Sequence, residues 1–316
     1  MIVFCNNLRH NFSDVLNMYK LLLQGKRWKL SQGVTRMHRL LLGLLFSTGI
    51  SLLAYRRRSL SRSGIAGAII AGTTTFGLGG WSWGLSLIFF FISSSIFSHF
   101  RAPVKAHTAA DKFSKGGQRD IGQAAANGGI ATLLALGYGL ASSASLQQVL
   151  QAGYTGALAT ATADTWATEL GVLSLQQPRL ITTGKPVAPG TSGGITLLGT
   201  VAAALGALTL GVVFWLLQRC QKSLASLPLI ALVSGLGGSM VDSLLGATVQ
   251  AMYYCPACEK ETERRIHNCG TWTRPMRGVT WLNNDVVNFI ATLFGGLLAM
   301  AIHVIQAQVY RTRING

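Results

Sequence analysis

The chain has 316 residues, of which 49% are hydrophobic and only 12% are charged, and its mean hydropathy is +0.39. Because soluble domains carry about a quarter charged residues, this composition excludes an ordinary water-soluble domain, as well as the disordered and fibrous classes. Basic residues outnumber acidic ones by 27 to 10, for a formal net charge of +17. In a soluble protein that excess would indicate nucleic-acid binding, so the positions of the charges along the chain decide what it means.

The basic residues cluster, and long apolar windows without lysine or arginine separate the clusters. Two examples are the windows between Arg119 and Arg179 and between Arg277 and Arg311. Such windows are long enough for membrane spans of about 20 residues. The candidate spans are 39–55, 64–80, 81–100, 124–144, 150–175, 193–217, 226–252 and 284–309. The sequence therefore predicts an all-α, polytopic transmembrane helix bundle of about seven or eight spans, with a tight hairpin turn at Gly79 and Gly80.

Four loops between the predicted spans carry most of the basic residues. These loops are 56–62, 101–119, 179–185 and the longer polar loop 253–283. With the spans given above, all four fall on one membrane face, as the positive-inside rule expects. Residues 39–309 are expected to form a single transmembrane domain that contains the polar loop. The basic extension 1–38 would lie on the opposite face, so either the first span is re-entrant or this extension is weakly structured or not native.

Four of the ten acidic residues lie in otherwise uncharged apolar stretches. They are Asp164, Glu169, Asp242 and Asp285. An ionisable group in the membrane costs a few kcal/mol, so each is expected to face a partner or a watery cavity and to be functional. The alternative is a structural hydrogen bond to a neighbouring helix. These four residues are the candidate catalytic groups.

Two of these acids lie in stripes of small residues. On a helix, Asp164 shares a face with Thr160, and Asp242 shares one with Gly235 and Gly246. Small stripes allow close helix packing in membranes, which explains the glycines but not an aspartate within each stripe. The two segments resemble weak internal copies of each other. A duplicated helix bearing aspartate would bring two carboxylates together, as a divalent cation bound to a nucleotide requires.

The last candidate span begins with a further group of oxygen ligands. Asn284 and Asn288 are four residues apart, and Asp285 and Asn288 are three apart, so one helix face carries several oxygen donors. Asn283 or Asn284 could alternatively be a simple helix N-cap. That alternative explains one asparagine and not the set.

Two loops have the composition of a phosphate-binding site. In the first, basic residues and a Gly-Gly turn precede Gln and Asn at the start of a span, which suits an anion at a helix N-terminus. The second offers one lysine, several hydroxyls and backbone N–H groups before a helix, but it is not a Walker A motif. The candidate phosphate- or nucleotide-binding residues are Lys115, Gly116, Gly117, Arg119, Asn127, Lys185, Thr191, Ser192, Gly193, Gly194, Asn284 and Asn288.

The polar loop contains a compact group of cysteine and histidine. Its members are Cys255, Cys258, His267 and Cys269. Cys-x2-Cys followed by His-x-Cys fits a four-ligand structural zinc site, although the second pair is unusually close. A disulfide in a surface loop and plain reduced thiols are the alternatives.

Five motifs of the chain together resemble one membrane family. In order, they are Lys-Gly-Gly-Gln-Arg-Asp, Ala-Asp-Thr-Trp-Ala-Thr-Glu-Leu-Gly, Pro-Gly-Thr-x-Gly-Gly-Ile-Thr, the Cys/His pattern and Trp-Leu-Asn-Asn-Asp-x-Val-Asn. Over roughly residues 40–310, the chain resembles the integral-membrane family of transmembrane protein 19 and the phytyl-phosphate kinase of tocopherol (vitamin E) synthesis. That family is largely described as a domain of unknown function. The spacing of Asp164, Ala167 and Gly171 also resembles that of dolichol kinases and CDP-diacylglycerol synthases, which use CTP.

The resemblance implies an activity and the ligands that it needs. It implies a kinase that transfers a phosphoryl group from a nucleoside triphosphate, with CTP favoured, to phytyl or geranylgeranyl monophosphate. Asp164, Asp242 and Asp285 would then hold Mg²⁺, and Glu169 would serve as a base or a metal partner. The implied surroundings are a lipid bilayer, either a cyanobacterial inner or thylakoid membrane or a plastid envelope. Nucleic acid is not an expected partner, and the oligomeric state is not indicated.

Two other classes of function remain open from the residues alone. Intramembrane aspartates with glycine-interrupted helices and a weak repeat are also typical of transporters and ion-coupled carriers. A structural membrane protein could instead use its aspartates only for helix assembly. The basic, glycine-rich loops on one face favour the kinase, because a carrier does not need them.

Overall fold

A computed structural model of the chain describes residues 36–109 and 118–315, and these residues form mostly helices. The helices are α1 (Arg36–Arg56), α2 (Arg62–Thr74), α3 (Trp81–His99), α4 (Ala102–Ala109), α5 (Ile121–Leu140), α6 (Ala144–Gly171), α7 (Leu197–Leu217), α8 (Leu227–Thr248) and α9 (Asn284–Asn315). A π-helical turn, Thr75–Gly79, continues α2, and a 3-10 turn, Lys222–Leu224, precedes α8. The predicted all-α class is confirmed. Most of the predicted basic extension lies outside the described residues.

Helix α6 is the central helix of the bundle and packs against α3, α5, α7, α8 and α9. Every residue from Gln151 to Ala163 is buried, and most of them are alanine, glycine or threonine. These small side chains allow several neighbouring helices to approach closely. The hydroxyls of Thr155 and Thr160 donate to carbonyls four residues earlier, over 2.8 and 2.9 Å. The central helix therefore satisfies its own buried hydroxyls.

In the part of the chain that the structure describes, five helices are long and apolar enough to cross a membrane. They are α1, α3, α7, α8 and α9. The protein is thus a polytopic membrane protein, while the larger count of seven or eight spans stays a prediction. The chain turns at the predicted position, because the π-helical turn ends at Gly79, Gly80 has a φ of 95° and α3 begins at Trp81. That this turn joins two membrane spans stays a prediction.

Short antiparallel strands lie at one end of the bundle. Strands β1 (Arg179–Leu180) and β2 (Gly194–Ile195) form a two-stranded pair between α6 and α7. Strand β3 (Met252–Cys255) lies between β4 (Lys260–Thr262) and β5 (Arg274–Arg277) in a second sheet. These strands belong to the two longest polar connections, 172–196 and 249–283.

The basic loops meet at this same end of the bundle. The Ser61 amide donates to the Arg119 carbonyl over 2.9 Å, and the Arg119 amide donates to the Ser59 carbonyl over 3.0 Å. These two bonds join the loop 56–62 to the segment that precedes α5. The loop 179–185 contains strand β1, and the loop 253–283 contains most of the three-stranded sheet. The grouping agrees with the one-sided distribution of positive charge that the sequence predicts.

The glycines of the α8 stripe are packing positions. A Cβ atom on Gly235 would lie 2.6 Å from the Cβ of Ala207 in α7 and 3.0 Å from the Ala159 backbone in α6. A Cβ atom on Gly238 would overlap the side chain of Thr160. The glycines therefore allow α8 to contact α6 and α7 closely, as the packing interpretation of the stripe holds.

We expect Gly238→Ala to destabilise the protein by about 1–3 kcal/mol, because an added methyl group overpacks the α6–α8 contact. Thermal unfolding in detergent should show a lower midpoint. Gly49→Ala is the matched control, since a Cβ at Gly49 in α1 meets no atom within 4 Å and alanine favours a helix over glycine by about 0.5–1 kcal/mol. An unchanged midpoint for Gly238→Ala would contradict the close contact.

Candidate functional site

A cavity of about 600 Å³ lies at the end of the bundle where the strands and basic loops meet. The carboxyl-terminal ends of α3, α6 and α8 and the amino-terminal ends of α5, α7 and α9 contribute to its wall. Helix α4, the residue Arg119 before α5, the β1–β2 segment and the polar loop 253–283 also contribute to it. Because polar groups from many separate elements converge in one large concave space, this cavity is the candidate site.

Most of the residues predicted from the sequence as a site line this cavity. They are Arg119, Asn127, Asp164, Glu169, Thr191, Ser192, Gly193, Gly194, Asp242, Asn284 and Asn288. The fold thus brings together side chains that are far apart along the chain. Lys115, Gly116 and Gly117, also predicted to bind phosphate, lie outside the described residues.

Among the described residues predicted to bind Mg²⁺ or phosphate, Asp285 and Lys185 do not line the cavity. Asn284 and Asn288 share the face of α9 that borders the cavity, whereas Asp285 is rotated by about 100° from Asn284. Asp285 lies in the first turn of α9, where the helix dipole favours a carboxylate. Lys185 is exposed in the connection between β1 and β2. Asp285 and Lys185 thus lie outside the lining of this cavity, and their roles in Mg²⁺ and phosphate binding stay predictions.

Asp164 and Asp242 lie near the ends of the adjacent helices α6 and α8 and form the acidic part of the cavity. Asp242 is within electrostatic range of both Asp164 and Glu263. Among the described residues, neither the buried Oδ2 of Asp242 nor the buried Oδ1 of Asn288 has a hydrogen-bond partner. Burying an oxygen without a partner is costly, so these two atoms mark a place where a cation or a hydrogen-bond donor would bind.

Arg119 is the basic counterpart of these acids. Its Cζ atom lies 5.7 Å from the ring centroid of Phe90 and 5.6 Å from that of Phe91. Within the described chain, its buried Nη1 atom has no hydrogen-bond partner. Burial lowers the pKa of Arg119 to about 10, and the nearby charge of Glu169 partly offsets this effect. The guanidinium therefore stays charged at neutral pH and is suited to bind an anion.

Both carboxylate oxygens of Glu169 are already engaged. Ser98 donates a hydrogen bond to Oε1 over 2.6 Å, and Lys105 forms an ion pair with Oε2. The Lys105 ammonium also donates to the carbonyls of Phe97 and Ser98, over 2.6 and 2.9 Å, at the end of α3. Glu169 therefore joins α6 to the end of α3, which is a positioning role, and its predicted role as a base or metal partner stays a prediction.

The glycine-rich loop before α7 is held rigidly against the end of α8. Arg277 donates to the carbonyls of Gly246 and Ala247, over 2.9 and 2.8 Å, and so caps α8. Gly193 has a φ of 80°, and a Cβ atom there would overlap Ala247, so only glycine fits. The Gly194 amide donates to the carbonyl three residues earlier over 2.9 Å. It therefore closes a turn and is not the phosphate donor that the sequence predicted.

The cavity also contains polar residues that the sequence patterns do not single out. They are Ser98, Lys105, Glu263, Arg264 and Asn268, and they lie beside Gln123 of the first predicted phosphate-binding loop. Lys105 and Arg264 belong to basic clusters, in which no spacing distinguishes a site residue from an ordinary loop charge. Gln123 does carry a signal, because with Asp120 it forms a capping box at the start of α5. This box fixes the helix end beside Arg119.

A smaller, apolar pocket adjoins the polar cavity. It has about 90 Å³ of free space among α1, α2, α3 and α5, and its wall includes Phe90 and Phe91. Arg119, Gln123 and Asn127 line both the pocket and the cavity. The two spaces together match an amphipathic ligand, with a charged head in the cavity and an apolar part between the helices.

Comparison with known proteins identifies relatives over most of the chain. Protein PGR of Arabidopsis thaliana is 36% identical over 280 residues, covering 82% of this chain and 94% of that protein. An uncharacterized membrane protein of Methanocaldococcus jannaschii is 30% identical over 269 residues, covering 84% and 94%. Protein VTE6, chloroplastic, also of A. thaliana, is 28% identical over 260 residues, covering 81% and 68%. No solved structure matches the chain.

A family profile described as "Integral membrane protein DUF92" matches residues 45–296. The match contains all the described cavity residues, from Ser98 to Asn288. It also agrees with the resemblance that the five sequence motifs indicate. This protein therefore belongs to the DUF92 family of integral membrane proteins.

Proposed function

We propose that this protein is an integral-membrane prenyl-phosphate kinase. It would transfer a phosphoryl group from a nucleoside triphosphate, with CTP the favoured donor, to phytyl or geranylgeranyl monophosphate. The product would be the prenyl diphosphate used in the synthesis of tocopherol and other prenyl lipids. One observation carries the proposal: among the described residues, a single cavity combines unpartnered buried oxygens with a buried and incompletely paired guanidinium.

The oxygen donors of the cavity fit a magnesium ion that is bound to a nucleotide. Mg²⁺ keeps several waters and takes only about one or two carboxylates from a protein, beside the phosphates of its substrate. Asp164 and Asp242 would supply these carboxylates, and Asn284 and Asn288 would supply amide oxygens. When bound, the ion would neutralise charge on the donor phosphates.

The basic groups of the cavity fit the phosphates of the two substrates. The Arg119 guanidinium can donate two parallel hydrogen bonds to phosphate oxygens, and Arg264 lies in the same wall. The amino-terminal ends of α5, α7 and α9 add partial positive charge. Opposite charges are thus available for both the metal and the phosphates.

The apolar pocket supports a lipid acceptor over a soluble one. With the acceptor phosphate at Arg119, the first carbons of an isoprenoid chain would enter the pocket beside Phe90 and Phe91. A space of about 90 Å³ holds only the part of the chain nearest the phosphate, so the remainder would extend into the bilayer. This arrangement explains why the reaction would need a membrane protein.

The transfer needs little covalent help from the protein. An oxygen of the acceptor monophosphate attacks the terminal phosphorus of the donor. The bond from that phosphorus to its bridging oxygen breaks, and the nucleoside diphosphate leaves with the bonding electron pair. The attacking oxygen is already ionised, so no base is required, which agrees with the engagement of Glu169 by Ser98 and Lys105. The cavity residues align the phosphates, offset their charge and exclude water.

The experiment is an assay of the purified protein in detergent with Mg²⁺, CTP and phytyl phosphate. We expect phytyl diphosphate, detected by mass spectrometry, and a panel of polyprenyl monophosphates with four nucleoside triphosphates would then define both substrates. A carrier would form no diphosphate but would move an ion or solute across proteoliposomes, and a structural protein would do neither. Absence of diphosphate with every nucleotide would overturn the kinase proposal.

A further inference from the structure

Two turns of the polar loop bring four metal-ligating side chains together. Cys255, Cys258, His267 and Cys269 each offer one ligand atom, and these atoms all lie within 4.8 Å of one another. The sulfurs of Cys255 and Cys269 are 3.7 Å apart, and the Nδ1 of His267 lies 3.2 Å from the Cys269 sulfur. Tetrahedral bonds of about 2.3 Å from zinc to sulfur place two sulfurs about 3.8 Å apart. The observed spacing is therefore that of ligands around one shared ion.

The backbone itself forms both turns. After β3 the chain reverses through Glu259, which has a φ of 53°, and continues as β4. In the second turn the Gly270 amide donates to the His267 carbonyl over 2.9 Å, and Ile266 pairs with Trp272 across it. Each turn contributes two ligands to the same point. This arrangement accommodates the close His-x-Cys spacing that looked unusual in the sequence.

We propose that these four residues bind one structural zinc ion. Three sulfurs and one imidazole nitrogen complete a tetrahedral set with no open position, which is typical of structural zinc and not of catalytic zinc. The soft sulfur ligands disfavour magnesium and calcium. In the ranges that the structure describes, Cys255, Cys258 and Cys269 are free thiols and are therefore available as ligands. The zinc site is separate from the cavity carboxylates and does not depend on the proposed kinase activity.

The zinc ion would stabilise a segment that has little apolar core of its own. Its three strands contain only three or four residues each, and units this small usually need a metal or a disulfide. The same segment places Glu263, Arg264 and Asn268 in the cavity wall. Glu263 is held there by a hydrogen bond of 2.8 Å from Gln250. The four ligands are therefore positioning residues for one side of the cavity.

The metal content of the full-length protein tests the site directly. After purification in detergent and removal of any affinity tag, elemental mass spectrometry should find about one zinc per chain. Cys258→Ser and Cys269→Ser should each lower this content at least about tenfold, since even loss of an outer partner costs about 10–100-fold in affinity. Cys220→Ser is the matched control, because Cys220 is exposed and lies outside the cluster.

Substitution of Co²⁺ into the wild-type protein tests the site even if a serine variant does not fold. Exchange of Co²⁺ into the wild-type protein should give the intense visible bands of tetrahedral cobalt with thiolate-to-metal charge transfer. An octahedral cobalt spectrum would contradict the site. The proposal is also wrong if the wild-type protein contains no stoichiometric zinc, if it contains iron instead, or if a disulfide within the cluster is found. Full zinc content in Cys258→Ser would overturn it as well.

Discussion

Asp242→Asn is expected to lower the rate of prenyl diphosphate formation at least about 100-fold while the protein stays folded. The substitution removes a negative charge but preserves the shape of the side chain. Asp242 is within electrostatic range of Asp164 and Glu263, and within the described residues its Oδ2 has no hydrogen-bond partner. Carboxylates within electrostatic range repel one another, and a bound cation relieves this repulsion. Product formation over a magnesium titration should therefore show a lower maximum and a higher half-saturating concentration.

The thermal midpoint separates this electrostatic effect from a loss of folding. Without magnesium, Asp242→Asn should be as stable as the wild type or more stable, because relief of repulsion and of charge burial favours the folded state. Asp285→Asn is the matched control, since it makes the same exchange at a carboxylate that does not line the cavity. That variant should keep the wild-type rate within about twofold. Full activity in Asp242→Asn would contradict the proposed magnesium site. A large loss of activity in Asp285→Asn would support the sequence-based prediction that Asp285 binds Mg²⁺.

The sequence predicts the helical architecture well because membrane spans depend on composition over long windows. It predicts helix ends less well, since those depend on single polar contacts. For example, the predicted span 150–175 corresponds to α6 at Ala144–Gly171. Ser143 caps α6 by accepting a hydrogen bond from the Leu146 amide over 3.1 Å, so the helix begins in a polar stretch that an apolar window does not include.

The sequence identifies a site residue when its position in an apolar segment is enough to show that it is unusual. A carboxylate in an apolar segment is costly wherever it lies, so Asp164 and Asp242 can be identified without a structure. The direction in which a side chain faces depends on helix rotation and on distant partners. Asn288 lines the cavity and Asp285 does not, although both begin the same helix. Likewise, Glu169 pairs with Lys105, which is 64 residues away, and no local periodicity connects them.

Arg119→Gln is expected to lower kcat/KM for the prenyl monophosphate at least about 100-fold, because the variant loses a charged donor in a site that excludes water. Arg119 lies where the polar cavity meets the apolar pocket. The KM for the prenyl phosphate should therefore rise more than the KM for the nucleotide. Arg119→Lys keeps the charge but loses the two-pronged donor geometry, so an intermediate loss is expected. Steady-state kinetics with each substrate varied in turn measure both effects.

A purely structural role for Arg119 predicts a different pattern. Its guanidinium packs over Phe90 and Phe91 of α3, so its removal would weaken the contact between α3 and the segment before α5 and lower the thermal midpoint without a preference between the two substrates. Lys185→Gln is the matched control, because it removes an exposed positive charge from the same end of the bundle. That control should retain activity within about twofold. The opposite result would be a higher KM for the prenyl phosphate in Lys185→Gln and an unchanged one in Arg119→Gln. It would indicate that the β1–β2 connection binds the acceptor. A selective rise in the prenyl-phosphate KM of Arg119→Gln places the acceptor phosphate at the junction of cavity and pocket.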